Sequence, residues 1–342
     1  MSQEERVAAI DCGTNSIRLL IADVPRGGNA GARDLVDLER EMVITRLGQG
    51  VDKTGSLHPD AIARTLAAAA DFQERIEAFN VSTVRIAATS ATRDAANREE
   101  FVRGMKEITG VEPEVITGKE EARLSFQGAI SSLPDTLKSP YLVVDIGGGS
   151  TEFVLGTDKV LQAVSIDMGS VRVTERFGPE PWNREKLAEA RTWIDARIRE
   201  ANTQVDLCAA KTVVGVAGTI TTLAGWSAGV QCYSPDITHG FTPTPEQWED
   251  ALTFMIEAST EEKAAYPAMP SGRADVIGGG ALIWERILTY LRVLNPDVLV
   301  APFGYPEDSS SLRNSDALIT LPVVVVSEHD ILDGLALSQV TY

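Results

Sequence analysis

The chain alternates between short apolar runs and longer stretches in which apolar residues recur every three or four positions. Residues 7–23, VAAIDCGTNSIRLLIAD, pattern as strand, turn, strand, with β-formers flanking a Gly/Thr/Asn/Ser turn. Residues 141–157, YLVVDIGGGSTEFVLGT, pattern the same way. A helix is predicted over 59–79, opened by Pro59, with Ile62, Leu66, Ala69, Phe72, Ile76 and Phe79 on one face. Thr117, Lys119 and Glu120 open another that ends near Ala129. Arg184–Gln204 carries Leu187, Ile194 and Ile198 at helical spacing, and Thr244-Pro245-Glu246-Gln247 is a capping box. Ala274–Arg292 and Asp330–Gln339 also pattern as helices, with Ser327 and Asp330 spaced as a cap. Thr83–Thr89, Val213–Val216, Asp297–Val300 and Val323–Val326 pattern as strands. The whole is an α/β chain in two halves, 1–130 and 131–342. Polar, turn-rich Pro302–Leu321 fits neither pattern and is expected to be a surface insertion.

The two hairpins superimpose residue by residue. Asp11 falls on Asp145, Gly13 on Gly147, Ser16 on Ser150 and Arg18 on Glu152. Each is an apolar strand ending in Asp, a small-residue turn, then a second apolar strand, so one internal duplication opens each half.

Charge changes the picture. With 342 residues and a formal net charge of −18, the chain repels DNA and anionic membranes. It also repels phosphate, so any phosphate site needs a divalent cation, backbone amides and a few arginines at that place. The three cysteines (Cys12, Cys208, Cys232) and three histidines (His58, His239, His329) are dispersed, which fits a reducing cytoplasm and offers no zinc spacing. The N-terminus lacks the pattern of a signal peptide, and no apolar run is long enough to span a bilayer.

Glycines let a backbone approach a phosphate closely. Gly147, Gly148 and Gly149 do so in the second hairpin, with Ser150 and Thr151 adding hydroxyls, and Thr14, Asn15 and Ser16 supply the counterpart in the first. Both loops run into a strand and no G-x-x-x-x-G-K-[ST] occurs, which excludes a P-loop. In Val213–Gly225, Gly215, Gly218 and Thr219 suit either another phosphate or close strand–helix packing.

IDCGTNSIRLLIAD, ATSATRDAANREEF, TGKEEARLSFQGA, VVDIGGGSTEFVLG and ADVIGGGALI resemble, in that order, the motifs of the exopolyphosphatase / guanosine pentaphosphate phosphohydrolase family. The resemblance covers roughly 5–300 and resumes at SEHDILDGLAL. It implies two actin-like (ribonuclease H-like) domains of the actin, hexokinase and heat-shock ATPase superfamily, with an interdomain cleft, in a short two-domain member whose terminal helix can pack back on the first domain. It also allows a homodimer, which the residues themselves do not show.

Candidate chemistry follows. Asp145, Glu152 and Asp11 beside a polyphosphate require a cation, for which Mg²⁺ suits the oxygen donors, with Mn²⁺ as an alternative. The resemblance implies metal roles for Asp145 and Glu152, while Asp11 is either a further ligand or a turn cap. Glu120 is spaced to complete a capping box with Thr117, whereas Glu121 points about 100° away, so Glu121 is the candidate base that orients water. The resemblance assigns the same residue. Arg93 is the candidate clamp on the transferred group, against the alternative of a surface ion pair; Arg18 and Arg123 are lesser candidates. His239 is expected to hold a loop, and His329 to be a surface residue on a first helical turn. The resulting expectation is an exopolyphosphatase, with guanosine pentaphosphate hydrolysis as the alternative. An acetate or sugar kinase-like transferase and a non-catalytic phosphate sensor remain as other classes.

Overall fold

The computed structural model describes residues 4–26, 35–291 and 322–340. The expectations for Asp297–Val300 and Pro302–Leu321 lie outside these residues.

Two five-stranded mixed sheets organise the chain. The first contains β1 (Glu4–Cys12), β2 (Ser16–Pro25), β3 (Val36–Ile44), β4 (Thr83–Ala88) and β5 (Glu114–Val115), in the order β3-β2-β1-β4-β5. The second contains β6 (Tyr141–Ile146), β7 (Thr151–Gly156), β8 (Val160–Ile166), β9 (Thr212–Val216) and β10 (Val323–Val326), in the order β10-β9-β6-β7-β8. In each sheet the first three strands pair antiparallel, and the fourth and fifth join parallel. This is one topology used twice, the actin-like α/β architecture. The register bears out the sequence superposition: Asp11 pairs with Arg18, and Asp145 with Glu152. Both turns close with the same bond, Gly13 N–H to the Ser16 carbonyl (2.9 Å) and Gly147 N–H to the Ser150 carbonyl (3.0 Å).

Helices cover both faces of each sheet. Pro59–Ala78, capped by the His58 side chain, lays Ile62, Ala69, Phe72 and Ile76 on the first sheet as its spacing predicted. The second sheet is backed by Arg184–Asn202, Ala217–Ser227, Pro245–Glu257 and Ile277–Tyr290, which enclose its main core. The capping box at Thr244 and Gln247 forms as expected.

The helix Gly118–Ser131 is shared by both sheets. Ala122, Phe126 and Ala129, spaced four and three apart, pack against Val143, Val154, Val214 and Val325 of the second. Leu124 packs with Val7, Ala9 and Leu20 of the first. Truncating fully buried Phe126 to Ala would cost about 3–5 kcal/mol. Burial on both sides leaves one helical edge, carrying Glu121 and Ser125, to face the two hairpins.

The chain leaves β10 and places its terminal helix, Ile331–Leu337, on the first sheet and against Gly118–Ser131. The crossing requires glycine on both helices: a Cβ on Gly128 would lie 1.9 Å from the Asp330 carbonyl oxygen, and one on Gly334 2.1 Å from that of Leu124. Two sequence expectations are corrected here. The cap of this helix is Asp330, in a reciprocal capping box with Asp333, while the Ser327 hydroxyl accepts from the His329 amide (3.2 Å), ahead of the helix. His329 is no free surface residue, since its Nδ1 lies 2.7 Å from Asp333.

Candidate active site

A cavity of about 1090 Å³ opens between the sheets, lined by both hairpin turns, Glu121, Asp145, the start of the Ala217–Ser227 helix and residues 328–332. The hairpins touch. A Cβ on Gly148 would lie 3.2 Å from Asn15 N, and one on Gly149 2.7 Å from the hydroxyls of both Thr14 and Ser90.

The turn carbonyls are bound on one side. Gly147 and Gly148 accept from the amides of Ser170, Val171 and Arg172, and Gly149 accepts from Arg172 Nε (2.8 Å). Across the cleft, the Thr14 carbonyl accepts from Gly48, and that of Asn15 from Thr45 and Arg46. In a trans peptide the following N–H points opposite to the carbonyl. The amides of Gly148, Gly149 and Ser150, and those of Asn15 and Ser16, are therefore turned away from these anchors. Such convergent donors suit an anion.

Carboxylates crowd the same space. Glu121 is 8% exposed and accepts from Arg93 Nη1 (3.0 Å). Burial pushes its carboxyl up to about 7; Arg93 opposes the shift, and Asp11 and Asp145 add to it. Asp145 accepts from the Ser125 hydroxyl (2.6 Å) and is likewise pushed to about 7, by burial and then by Asp330. Glu152 is raised well above its usual range by burial, then by Glu121 and Asp145. Asp11 is raised less, because Arg18 opposes its burial. One Asp11 oxygen accepts from Arg18 Nη2 (2.7 Å), and Arg18 also grips Asp330. The other, Oδ1, is buried without a partner, as are Asn15 Oδ1 and Ser90 Oγ.

The sequence pattern of the Ppx/GppA phosphatase family matches residues 24–301. The chain belongs to that family. It is 42% identical over 339 residues to exopolyphosphatase 2 of Mycobacterium tuberculosis, covering 97% of this chain and 98% of that protein. Among solved structures, an exopolyphosphatase-like protein superposes with a TM-score of 0.85 at 38% identity, covering 98% of each chain. The Ppx/GppA enzyme of Aquifex aeolicus superposes at 0.73 with 30% identity, covering 98% of this chain and 100% of that one. No helix among the described residues is long and apolar enough to cross a membrane.

For this Ppx/GppA member, most predicted site residues meet at the cavity: Asp11, Thr14, Asn15, Ser16, Arg18, Glu121, Asp145, Gly147, Gly148, Gly149, Ser150, Gly218 and Thr219 all line it. Three predicted residues do not. Thr151 turns its hydroxyl to the Met168 carbonyl, so it secures β7 rather than offering a donor. Arg93 lies behind Glu121, its Nη1 shared with the Ile116 carbonyl (3.0 Å), and reaches the cavity only through that carboxylate. Glu152 is 1% exposed and accepts from the Ser165 hydroxyl (2.6 Å). Glu120 departs from expectation too. Thr117 caps its amide, but its carboxylate pairs with Arg123 (2.7 Å) instead of closing a capping box. His239 holds a loop as expected, accepting from the Glu328 amide (3.3 Å).

Arg273 was not found from the sequence. Its guanidinium lines the cavity, donates to the Gly218 carbonyl (3.0 Å) and Thr222 Oγ1 (2.9 Å), and has no carboxylate ion pair among the described residues. Burial lowers its pKa to about 10. Gly218 is small for its sake, since a Cβ there would lie 2.3 Å from Arg273 Nη2. The only local signal was an arginine immediately before ADVIGGGALI, which periodicity cannot aim.

No group of three His, Cys, Asp or Glu among the described residues is placed to hold a metal alone. The expected trio of Asp11, Asp145 and Glu152 is therefore not a ready-made shell, because Glu152 is turned to Ser165 and half of Asp11 to Arg18. What remains fits Mg²⁺ all the same: two cavity carboxylates, one with an orphaned buried oxygen, suit a cation that takes its other ligands from water and phosphate.

Proposed function

We propose that the chain is an exopolyphosphatase that releases terminal orthophosphate from inorganic polyphosphate. The observation that carries this reading is Glu121: a buried carboxylate with a pKa of about 7, held by Arg93, beside two hairpin turns whose amides converge. A group of that pKa can accept a proton from water at neutral pH.

The hairpin amides and the hydroxyls of Thr14, Ser16 and Ser150 bind the terminal phosphate. Water attacks the terminal phosphorus while the bridging P–O bond breaks. Its proton passes to Glu121, and the bond's electron pair leaves on the shortened chain. Arg93 orients Glu121. Mg²⁺, or Mn²⁺ in its place, would be held through Asp145 and Asp11, where it would neutralise charge between carboxylates and phosphates and polarise phosphorus. The halves divide near residue 130, apart from the terminal helix, and close over the substrate.

A second reading has its own support. Beyond the hairpins the cavity is walled by Met42, Pro267, Met269 and Pro270, with the half-exposed Tyr233 ring at its rim. A bare phosphate chain has no use for apolar walls, whereas a guanosine does, which favours guanosine pentaphosphate. Phosphate release from polyphosphates of several lengths and from guanosine pentaphosphate, with and without Mg²⁺, separates the two. No release from either with Mg²⁺ present would end both.

A further inference from the structure

Arg172, in the helix Ser170–Phe177, grips three separate segments. Its Nε donates to the Gly149 carbonyl (2.8 Å). Nη1 pairs with Asp52 (2.8 Å) and Nη2 with Asp94 (3.0 Å). Asp94 ends the short helix Ser90–Asp94, directly after Arg93, and the same helix carries Ser90 against Gly149. One guanidinium thus joins the phosphate hairpin of the second half to the segment of the first that presents Arg93 to Glu121.

We propose that Arg172 is a positioning residue that fixes the phosphate-binding hairpin relative to the Arg93–Glu121 pair. The inference rests on Glu121 being the base. Its physical ground is the rigid fork of arginine, which can satisfy a carbonyl and two carboxylates in one plane; lysine keeps the charge but not the geometry. At 17% exposure the side chain is poorly screened. The amides of Ser170 and Val171 hold Gly147 and Gly148 without it, so loss of Arg172 leaves ground-state phosphate binding in place and misaligns attack.

The test is phosphate release by the full chain with Mg²⁺, comparing wild type with Arg172→Gln, Arg172→Lys, Asp94→Asn, the Arg172→Gln/Asp94→Asn double variant, Glu175→Gln and Glu121→Gln. Glu175 accepts from the Gly50 amide (2.9 Å), a contact between the same halves that touches neither the hairpin turn nor Arg93. The expected result is kcat down about 10–100-fold in Arg172→Gln with KM within about threefold, since a misplacement of ~1 Å can cost about a hundredfold. Arg172→Lys keeps its melting temperature yet loses kcat. The double variant is no slower than Arg172→Gln, because both break one linkage. Glu175→Gln melts lower with kcat unchanged. Wild-type kcat in both Arg172 variants while Glu121→Gln is inactive would overturn this inference alone. A fully active Glu121→Gln would overturn the base assignment and this inference with it.

Discussion

Arg18 and Glu152 occupy the same position in the two hairpins, each directly across the ladder from the aspartate next to last in the preceding strand. In the first copy the pair is Asp11–Arg18, an ion pair of 2.7 Å. In the second it is Asp145–Glu152, two buried carboxyl groups whose pKa values burial raises. The two copies share one frame, and the residue opposite the aspartate differs in the sign of its charge between them.

Glu152→Gln follows directly. Burial and its neighbours hold the Glu152 carboxyl above its usual range, so at neutral pH its charge costs stability. Without divalent cation the variant should melt higher, by about 2–4 °C for each kcal/mol recovered. With Mg²⁺ its half-activating concentration should rise, because a carboxyl that can ionise beside Asp145 when the cation binds is gone. Melting in chelator and Mg²⁺ titration of activity check the two signs, and a lower melting temperature in chelator would refute the first.

Glu121→Gln should lower kcat by about 10²–10⁴-fold with little change in KM, the range for loss of a positioned base. In the wild type, kcat/KM should decline as pH falls below about 7, where the Glu121 carboxyl takes up its proton. Arg93 favours the ionised form, so Arg93→Ala should move that acidic limb to higher pH. Steady-state kinetics from pH 5 to 9 decide this, and an unmoved limb in Arg93→Ala counts against the pairing.

Gly334→Ala sets two effects against each other. Alanine gains about 1 kcal/mol of helix propensity. The added Cβ would lie 2.1 Å from the Leu124 carbonyl oxygen, so the helices must separate, and overpacking costs about 1–3 kcal/mol or more where backbone is struck. The net expectation is a lower melting temperature, and Gly128→Ala should behave alike. An unchanged melt in both would mean that the crossing is not close-packed.

His329 couples the terminal helix to pH. Burial pulls its pKa down, but the hydrogen bond to Asp333 and the Asp333 charge outweigh this, and the net shift is upward from 6.5. A raised folded pKa contributes stability that is fully present below the unfolded value and is lost as pH rises through the folded one. The gap in melting temperature between wild type and His329→Gln should therefore be widest near pH 6 and shrink toward pH 9. A gap that grows with pH would contradict the assignment.

Local pattern was enough to read both hairpins, their residue-by-residue equivalence and the amphipathic helices, because strand alternation, turn glycines and capping residues act over a few positions. It was enough to tell that Glu121 and Glu120 face different ways, and Glu121 is the one that lines the cavity, although Glu120 pairs with Arg123 rather than with its cap. It was not enough to place Arg93 behind Glu121 or to turn Thr151 toward Met168, since each side chain chooses among partners far along the chain.

The sequence by itself therefore determined both hairpins with their duplicated frame, most of the long helices and the family, all of which are written in neighbouring residues, while β3, β5, β8 and the helix Ser170–Phe177 were not read from it. Only the tertiary structure decided which charges meet: Arg18 with Asp330, Arg172 with Asp94, and Arg273 left on the cavity wall without an ion-pair partner among the described residues. The reason is that burial and Coulomb interaction depend on distance in space, and periodicity along a chain orients a side chain without saying what lies opposite it.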